Sequence, residues 1–459
     1  MQTKRILIAG LVLILLVVAT IITVGLLPRD ENNNIVSPTW VIAVEEAKVA
    51  KLEVSNPSGG FTATFDNGVL VEGLEDYPLS DTVMTNLRAA AGSVYAYDTV
   101  ERSVKDLAQY GFSSPLATAV VTDTDGKQVR LTVGSQMPNG TAYYAMNDST
   151  NHVYAVESDY LFYVLSSKQD LLSKKVTSIH SDTAYMVDYL SITKNGQPYL
   201  KIVTMDESEP AHYNSNHLYK MTYPHQGLGR DVNIVSYLET VCNLTATTIK
   251  HLGVTDQSLA EYGLSQPPIV IEYSYKGEIT RLYCSEPADG FCNVYADGGN
   301  VIYSILAQKL KLVSLDAMDL VTPYQFERDI NDVERILIQT KNGSYTYHVS
   351  VQNGQTTAAL DAAPLDDDAF ERFYDLLTTS ELIGVANKPA GSPTVTMTFR
   401  YREDTGMRND TVSFYCIDDR TYFIEINGQG NFYVSSLYVD KILECIPKLN
   451  AGQDFNIKY

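Results

Sequence analysis

Three histidines crowd one polar stretch: His212, His217 and His225, interleaved with Tyr213, Tyr219 and Tyr223. Imidazoles gathered in this way can bind zinc or copper when a fold aims their ring nitrogens at one point. Their spacing follows no standard ligand pattern, so an ordinary polar loop is the stronger expectation. Asp366, Asp367 and Asp368 supply three adjacent carboxylates. A calcium loop alternates its ligands and needs a glycine and a closing glutamate. Here Phe370 and Phe373 follow instead, which reads as the acidic start of an amphipathic helix. Asp123-Thr124-Asp125-Gly126 is a hairpin turn before it is an ion site, and Gly227-Leu228-Gly229 lacks the third glycine of a phosphate loop. Five cysteines, Cys242, Cys284, Cys292, Cys416 and Cys445, are too few for a disulfide framework in a chain of 459 residues. Cys284 and Cys292 flank the turn Pro287-Ala288-Asp289-Gly290 and could pair across a hairpin, although buried strand thiols are the stronger expectation. The chain has no nucleophile elbow, Walker loop or dinucleotide fingerprint. No catalytic, cofactor or metal residue is therefore assigned, no cofactor is expected, and a non-enzymatic protein is.

The elements that would position these residues come in repeats. Leu107-Ala108-Gln109-Tyr110-Gly111-Phe112-Ser113-Ser114-Pro115 recurs about 150 residues later as Leu259-Ala260-Glu261-Tyr262-Gly263-Leu264-Ser265-Gln266-Pro267. Gly126, Arg130 and Leu131 then match Gly277, Arg281 and Leu282, Tyr144-Ala145 matches Tyr295-Ala296, and Val153-Tyr154 matches Ile302-Tyr303. Upstream, Val187–Gly196 resembles Val333–Gly343, and Val49–Val54 is a fainter third copy. Phe414-Tyr415-Cys416 parallels Leu282-Tyr283-Cys284, but the last unit lacks the Leu-Ala-x-Tyr-Gly motif. Three tandem units of about 140 residues follow, the last degenerate.

Within a unit the order is constant. A period-2 strand opens it, as Leu190 and Ile192 alternate with Ser191 and Thr193. Hairpin turns follow at Asp66-Asn67-Gly68, Asn195-Gly196 and Asn342-Gly343. A helix with an acidic start comes next, after Asp81, Asp231 or Asp367-Asp368. The Tyr-Gly segment predicts a short helix ended by a left-handed glycine, with Tyr110 and Tyr262 as structural anchors beside it. A meander follows, at Thr118–Thr122, Val129–Val133, Ala142–Met146 and His152–Val156 in the first copy. A helix closes the unit, at Tyr160–Leu171 or Leu306–Leu312. Short links between neighbouring strands predict antiparallel α+β units rather than βαβ. The expected domains are a tip and membrane anchor over 1–30 and α+β repeats over 31–180, 181–325 and 326–459.

The run Ile6–Leu27 has no charge and no proline. A helix needs about 20 apolar residues to cross a hydrocarbon core of about 30 Å, so this run is long enough. Lys4 and Arg5 precede it, which places the N-terminus in the cytoplasm and the bulk of the chain outside. A cleaved signal peptide is the competing reading, but the run is longer than such a core and Gly25-Leu26-Leu27-Pro28 is a weak cleavage site. With 34 basic against 55 acidic residues, a net charge of −21, the chain is a poor partner for nucleic acid. Its 32 tyrosines could offer glycan- or protein-binding surfaces. Most of them occupy alternating strand positions, which favours sheet packing.

These motifs together, Leu-Ala-x-Tyr-Gly-(Leu/Phe)-x-x-Pro, a Gly-x-x-x-Arg-Leu hairpin, a Tyr-Tyr-Ala strand and a Val-Tyr-x-Val strand, resemble the bacterial domain of unknown function 4340. Leu107–Leu172 carries the pattern best and Leu259–Leu320 a diverged version, in which Cys284-Ser285 stands where a Val-Gly is usual. The resemblance implies an N-terminally anchored envelope protein, in some cases linked to ABC-type exporters of the gliding-motility kind, and brings no catalytic residues. The expected role is a membrane-anchored, extracytoplasmic, protein-binding accessory or scaffold, held in the cell membrane by Ile6–Leu27, with an ABC transporter permease or another envelope protein as partner. A surface polysaccharide-binding module is the alternative. A hydrolase with a site assembled between repeats is a third reading, since sites can form from residues distant in sequence.

Overall fold

The computed structural model describes residues 39–177, 185–205, 217–352 and 355–459. They fall into two compact units, one ending at Ser173 and one running from Lys174 to Tyr459. Ile6–Leu27 lies outside the described residues, and among those described no helix is long and apolar enough to cross a membrane.

In the first unit Val49–Ser55 lies inside an eight-stranded sheet. Phe61–Thr64 and Leu70–Val71 add on one side. Ala117–Asp123, Gln128–Gln136, Ala142–Asn147 and His152–Glu157 add on the other, and Asp98–Arg102 closes the far edge. Every pairing is antiparallel. The chain thus lays down half a sheet, passes through helix α1 (Asp81–Gly92), and starts again from the opposite edge. Its second half then pairs back onto its first strand. The four meander strands lie where the alternating pattern predicts them. A two-stranded ribbon, Thr39–Ala43 with Ser93–Ala96, has no precursor in that pattern.

The second unit holds two nine-stranded sheets with the same order, around Val187–Lys194 and Val333–Thr340. Helices α2 (Asp231–Cys242) and α3 (Asp367–Thr378) occupy the place of α1 in the chain order. The last sheet keeps the full order although its sequence lacks the Tyr-Gly motif, because the ladder depends on alternation and not on that one cap. In strand Val395–Tyr401 the residues Val395, Met397, Phe399 and Tyr401 are buried and those between are not. Helix α3 supplies Phe370 and Phe373, whose rings each lie 5.8 Å from that of buried Tyr347. Each such side chain contributes roughly 1.5–3 kcal/mol by leaving water.

Two local expectations change in detail. The closing element over Tyr160–Leu171 is three short helical pieces, Ser158–Leu161, Phe162–Leu165 and Lys168–Leu171. Ser167 and Asp170 form a reciprocal cap that starts a new turn, which interrupts a continuous helix. Only the last sheet closes with a long helix, α4 (Ser436–Asn450). Acidic helix starts are used in three ways. Asp366 caps α3 through the amide of Ala369 at 2.8 Å, whereas the Ser80 hydroxyl caps α1. Asp231 does not cap α2: its carboxylate accepts from the amides of Leu218 and Tyr219, at 2.8 and 3.0 Å, and holds a neighbouring strand to the helix start.

Candidate functional site in the second unit

In the second unit a cavity of about 350 Å³ opens between strand Tyr219–Tyr223 and the hairpin Thr421–Ile426/Gln429–Ser435. Met221, Leu228, Ile424, Ile426 and Phe432 form its apolar lining, and Gln226, Gln325, Asn427 and Gln429 bring amides to it. Ligand pockets commonly start near this size and combine apolar walls with a few placed polar groups.

Two lining residues, Arg328 and Asn427, belong to a buried charge network. Arg328 Nε donates to Asp410 Oδ2 at 2.7 Å, and the two side chains are 4 % and 0 % exposed. Tyr401 Oη donates to the same oxygen at 2.5 Å, and Asn427 Nδ2 donates to Oδ1 at 2.6 Å. The guanidinium also donates to the Glu327 carbonyl at 2.7 Å and lies 4.7 Å from the Phe326 ring centre. Local rules explain each position. Asn427 takes a φ of +53° in the Asn-Gly turn of its hairpin, and its side-chain oxygen accepts from the Thr411 amide at 2.8 Å. Tyr401 and Asp410 end and begin adjacent strands, and the Tyr374 hydroxyl of α3 donates to the Arg328 carbonyl at 2.9 Å. Burial and the adjacent Asp410 charge push the Tyr401 phenol far up, so it stays a donor. Gln325 locks one wall: its side-chain oxygen accepts from the Leu228 amide at 2.7 Å and its nitrogen donates to the Leu228 carbonyl at 3.2 Å. The network is a paired, fully bonded frame. It frames one side of a recess that Lys220 also lines.

The residues singled out from the sequence are dispersed. His217 meets the Gly229 carbonyl at 3.1 Å and lies 3.8 Å from Asp231. His225 packs edge-on to Phe432, and burial lowers its affinity for a proton. His212 lies outside the described residues. Among the described residues no three His, Cys, Asp or Glu side chains converge as a metal site. Asp123 accepts from the amides of Asp125 and Lys127, at 2.9 and 2.8 Å, inside its turn. Gly227-Leu228 is a two-residue edge strand on the cavity wall. Cys284 and Cys292 are free and buried, and Cys292 Sγ donates to the Ser285 carbonyl at 3.1 Å. Contact with Cys292 and burial push the Cys284 thiol well up. Tyr110 donates to Glu101 at 2.8 Å and packs tilted against Phe112 and edge-on to Tyr144, and Tyr262 reaches the Lys250 carbonyl at 3.3 Å. Gly111 and Gly263 beside them take φ of +82° and +73°, as the motif predicts.

Sequence reading missed Arg328, Asp410, Tyr401 and Asn427. Arg328 sits in an irregular segment, 82 residues from Asp410, and no local period links the two. The Asn427-Gly428 turn was the one available signal.

The fold places the chain among antiparallel α+β repeat proteins. Residues 71–267 match the family described as Domain of unknown function (DUF4340), the same family that the motifs resemble. The match starts in the first sheet, at the second residue of strand Leu70–Val71, and ends beyond the Tyr-Gly motif of the second. No curated protein and no solved structure matches the chain.

Proposed function

We propose that this chain is a membrane-anchored, extracytoplasmic, non-enzymatic binding protein that docks another envelope protein, such as the permease of an ABC-type system. The observation that carries the reading is the cavity of the second unit. The charge of its lining residue Arg328 is already paired with Asp410, and its walls mix apolar side chains with amides and the amine of Lys220. That chemistry suits a protruding loop or side chain of a protein partner better than a reacting substrate. The apolar run Ile6–Leu27 supports the anchor, with the repeats outside the cell.

The test is affinity capture of the full-length chain from solubilised membranes, read by mass spectrometry, beside a Gln226→Trp/Gln429→Trp variant. Both glutamines are exposed lining residues, so the added rings fill the recess without touching the buried frame. A permease or other envelope protein recovered by the wild type and lost by the variant is the expected result. Recovery of nothing but the chain itself defeats the reading. Equal recovery by the variant moves the contact off this cavity.

Surface polysaccharide binding is the second reading. The half-buried rings of Tyr283 and Tyr295, stacked at 5.9 Å and 18°, favour it. Binding on a glycan array that Tyr283→Ser removes would put it first.

A further inference from the structure

The chain has one tryptophan, and it is on the surface: Trp40 is 47 % exposed. It sits in the ribbon of the first unit directly opposite Tyr95, with ring centres 3.7 Å apart. The Tyr160 ring lies 5.6 Å beyond that of Tyr95 and is itself 47 % exposed. Tyr97, two residues along from Tyr95, and Phe162, two along from Tyr160, are exposed as well. The rings are held from beneath. A bulge between Trp40 and Ile42 turns both Val41 and Ile42 into the core, and buried Asn147 donates to the Val41 carbonyl at 2.6 Å. Buried Leu161 fixes the backbone between Tyr160 and Phe162. A rigid, exposed aromatic face of this kind marks an interaction site.

What covers it is indicated by where the chain comes from. The apolar run ends at Leu27 and the ribbon begins at Thr39. Residues 28–38 lie between, and even fully extended they cannot carry Thr39 more than about 40 Å from the end of that run. Trp and Tyr, apolar in body and polar at the tip, are the side chains that settle at the headgroup level of a bilayer. We propose that Trp40, Tyr95 and Tyr160 form a membrane-interface face, which lies among the headgroups of the membrane that holds Ile6–Leu27 and keeps the first unit against it. The inference rests on the anchor reading proposed above. Asp98, Glu157 and Asp159 are exposed on the segments that carry Tyr97 and Tyr160. Carboxylates there are repelled by anionic lipid. The contact is therefore ring insertion between zwitterionic headgroups, insensitive to salt.

Because Trp40 is the sole tryptophan, its emission reads this face alone. The full-length chain is reconstituted in phosphatidylcholine vesicles brominated either near the headgroup or deep in the acyl chain, and each sample is also floated on a density gradient. The expected result is flotation, with Trp40 quenched at least twofold more by shallow than by deep bromine. A Tyr95→Ser/Tyr160→Ser variant should float equally and lose at least half of that quenching. A chain that floats while Trp40 is not quenched overturns the interface and leaves the anchor standing. A chain that does not float overturns the anchor and this inference with it. Full quenching in the double variant refutes the role of the tyrosines. If Trp40 instead escapes the bromines but responds to soluble cell-wall oligosaccharide, or to protein-to-lipid ratio, the face belongs to a glycan or to a second copy and the membrane contact is wrong.

Discussion

Replacing Asp410 by Asn tests the frame of the cavity. The change keeps the shape of the side chain and removes its charge. Arg328 is then left as a cation with 4 % exposure and no counter-ion, and the amide nitrogen of Asn must face one of the donors that the carboxylate accepted. Breaking one side of a buried ion pair costs about 3–5 kcal/mol. The lost bonds to Tyr401 and Asn427 fall within that figure, because members of one network do not add. With a guanidinium slope of about 4 kcal/mol/M, the midpoint of the second unit drops by about 1 M. Far-UV circular dichroism follows the whole chain, and Trp40 emission reports the first unit alone, so it serves as the internal control. Adding Arg328→Met removes the orphaned cation and should return about 2 kcal/mol or more, since apolar replacement of a buried pair is often near neutral. A midpoint shift under about 0.2 M, or a double variant no more stable than the single one, would refute the reasoning.

Three further outcomes are expected. Gly111→Ala should lower the Trp40-detected midpoint by more than Gly126→Ala. Both glycines have φ near +80°, which costs an alanine about 1–2 kcal/mol, but only at Gly111 would the new Cβ come within 2.7 Å of a backbone atom, the Ser135 nitrogen; equal losses would contradict the close approach. Glu272 accepts from the Tyr189 hydroxyl at 2.7 Å and from Arg281 at 2.6 Å, and these bonds hold its carboxyl below the usual 4.5. The stability it adds is complete above that pH and fades as pH falls through the lowered value, so wild type should lose stability in acid more steeply than Glu272→Gln, and parallel pH profiles would count against it. In native protein a thiol reagent should find one fast cysteine, Cys416, and after unfolding without reductant all five; a count of three would mean that Cys284 and Cys292 are joined.

The features legible in the amino-acid sequence are local or periodic. Alternation along Val187–Lys194 and Val395–Tyr401, turns at Asn195-Gly196 and Asn342-Gly343, and the left-handed glycines after Tyr110 and Tyr262 depend on side chains within a few residues of one another. The meander positions follow from the same short-range rules. The partner of a side chain does not. Asp231 looks like a helix cap and instead holds Leu218 and Tyr219, because the fold brings a strand end to its carboxylate. Arg328 and Asp410 meet only through the tertiary fold, because they lie 82 residues apart in unrelated segments that leave no period to read. Trp40 is a lone aromatic in the sequence and becomes a face only when its strand pairs with Ser93–Ala96 and the Tyr160 turn packs beside it. Backbone preference acts over a few residues, whereas which surfaces are buried, paired or left exposed is decided by long-range packing.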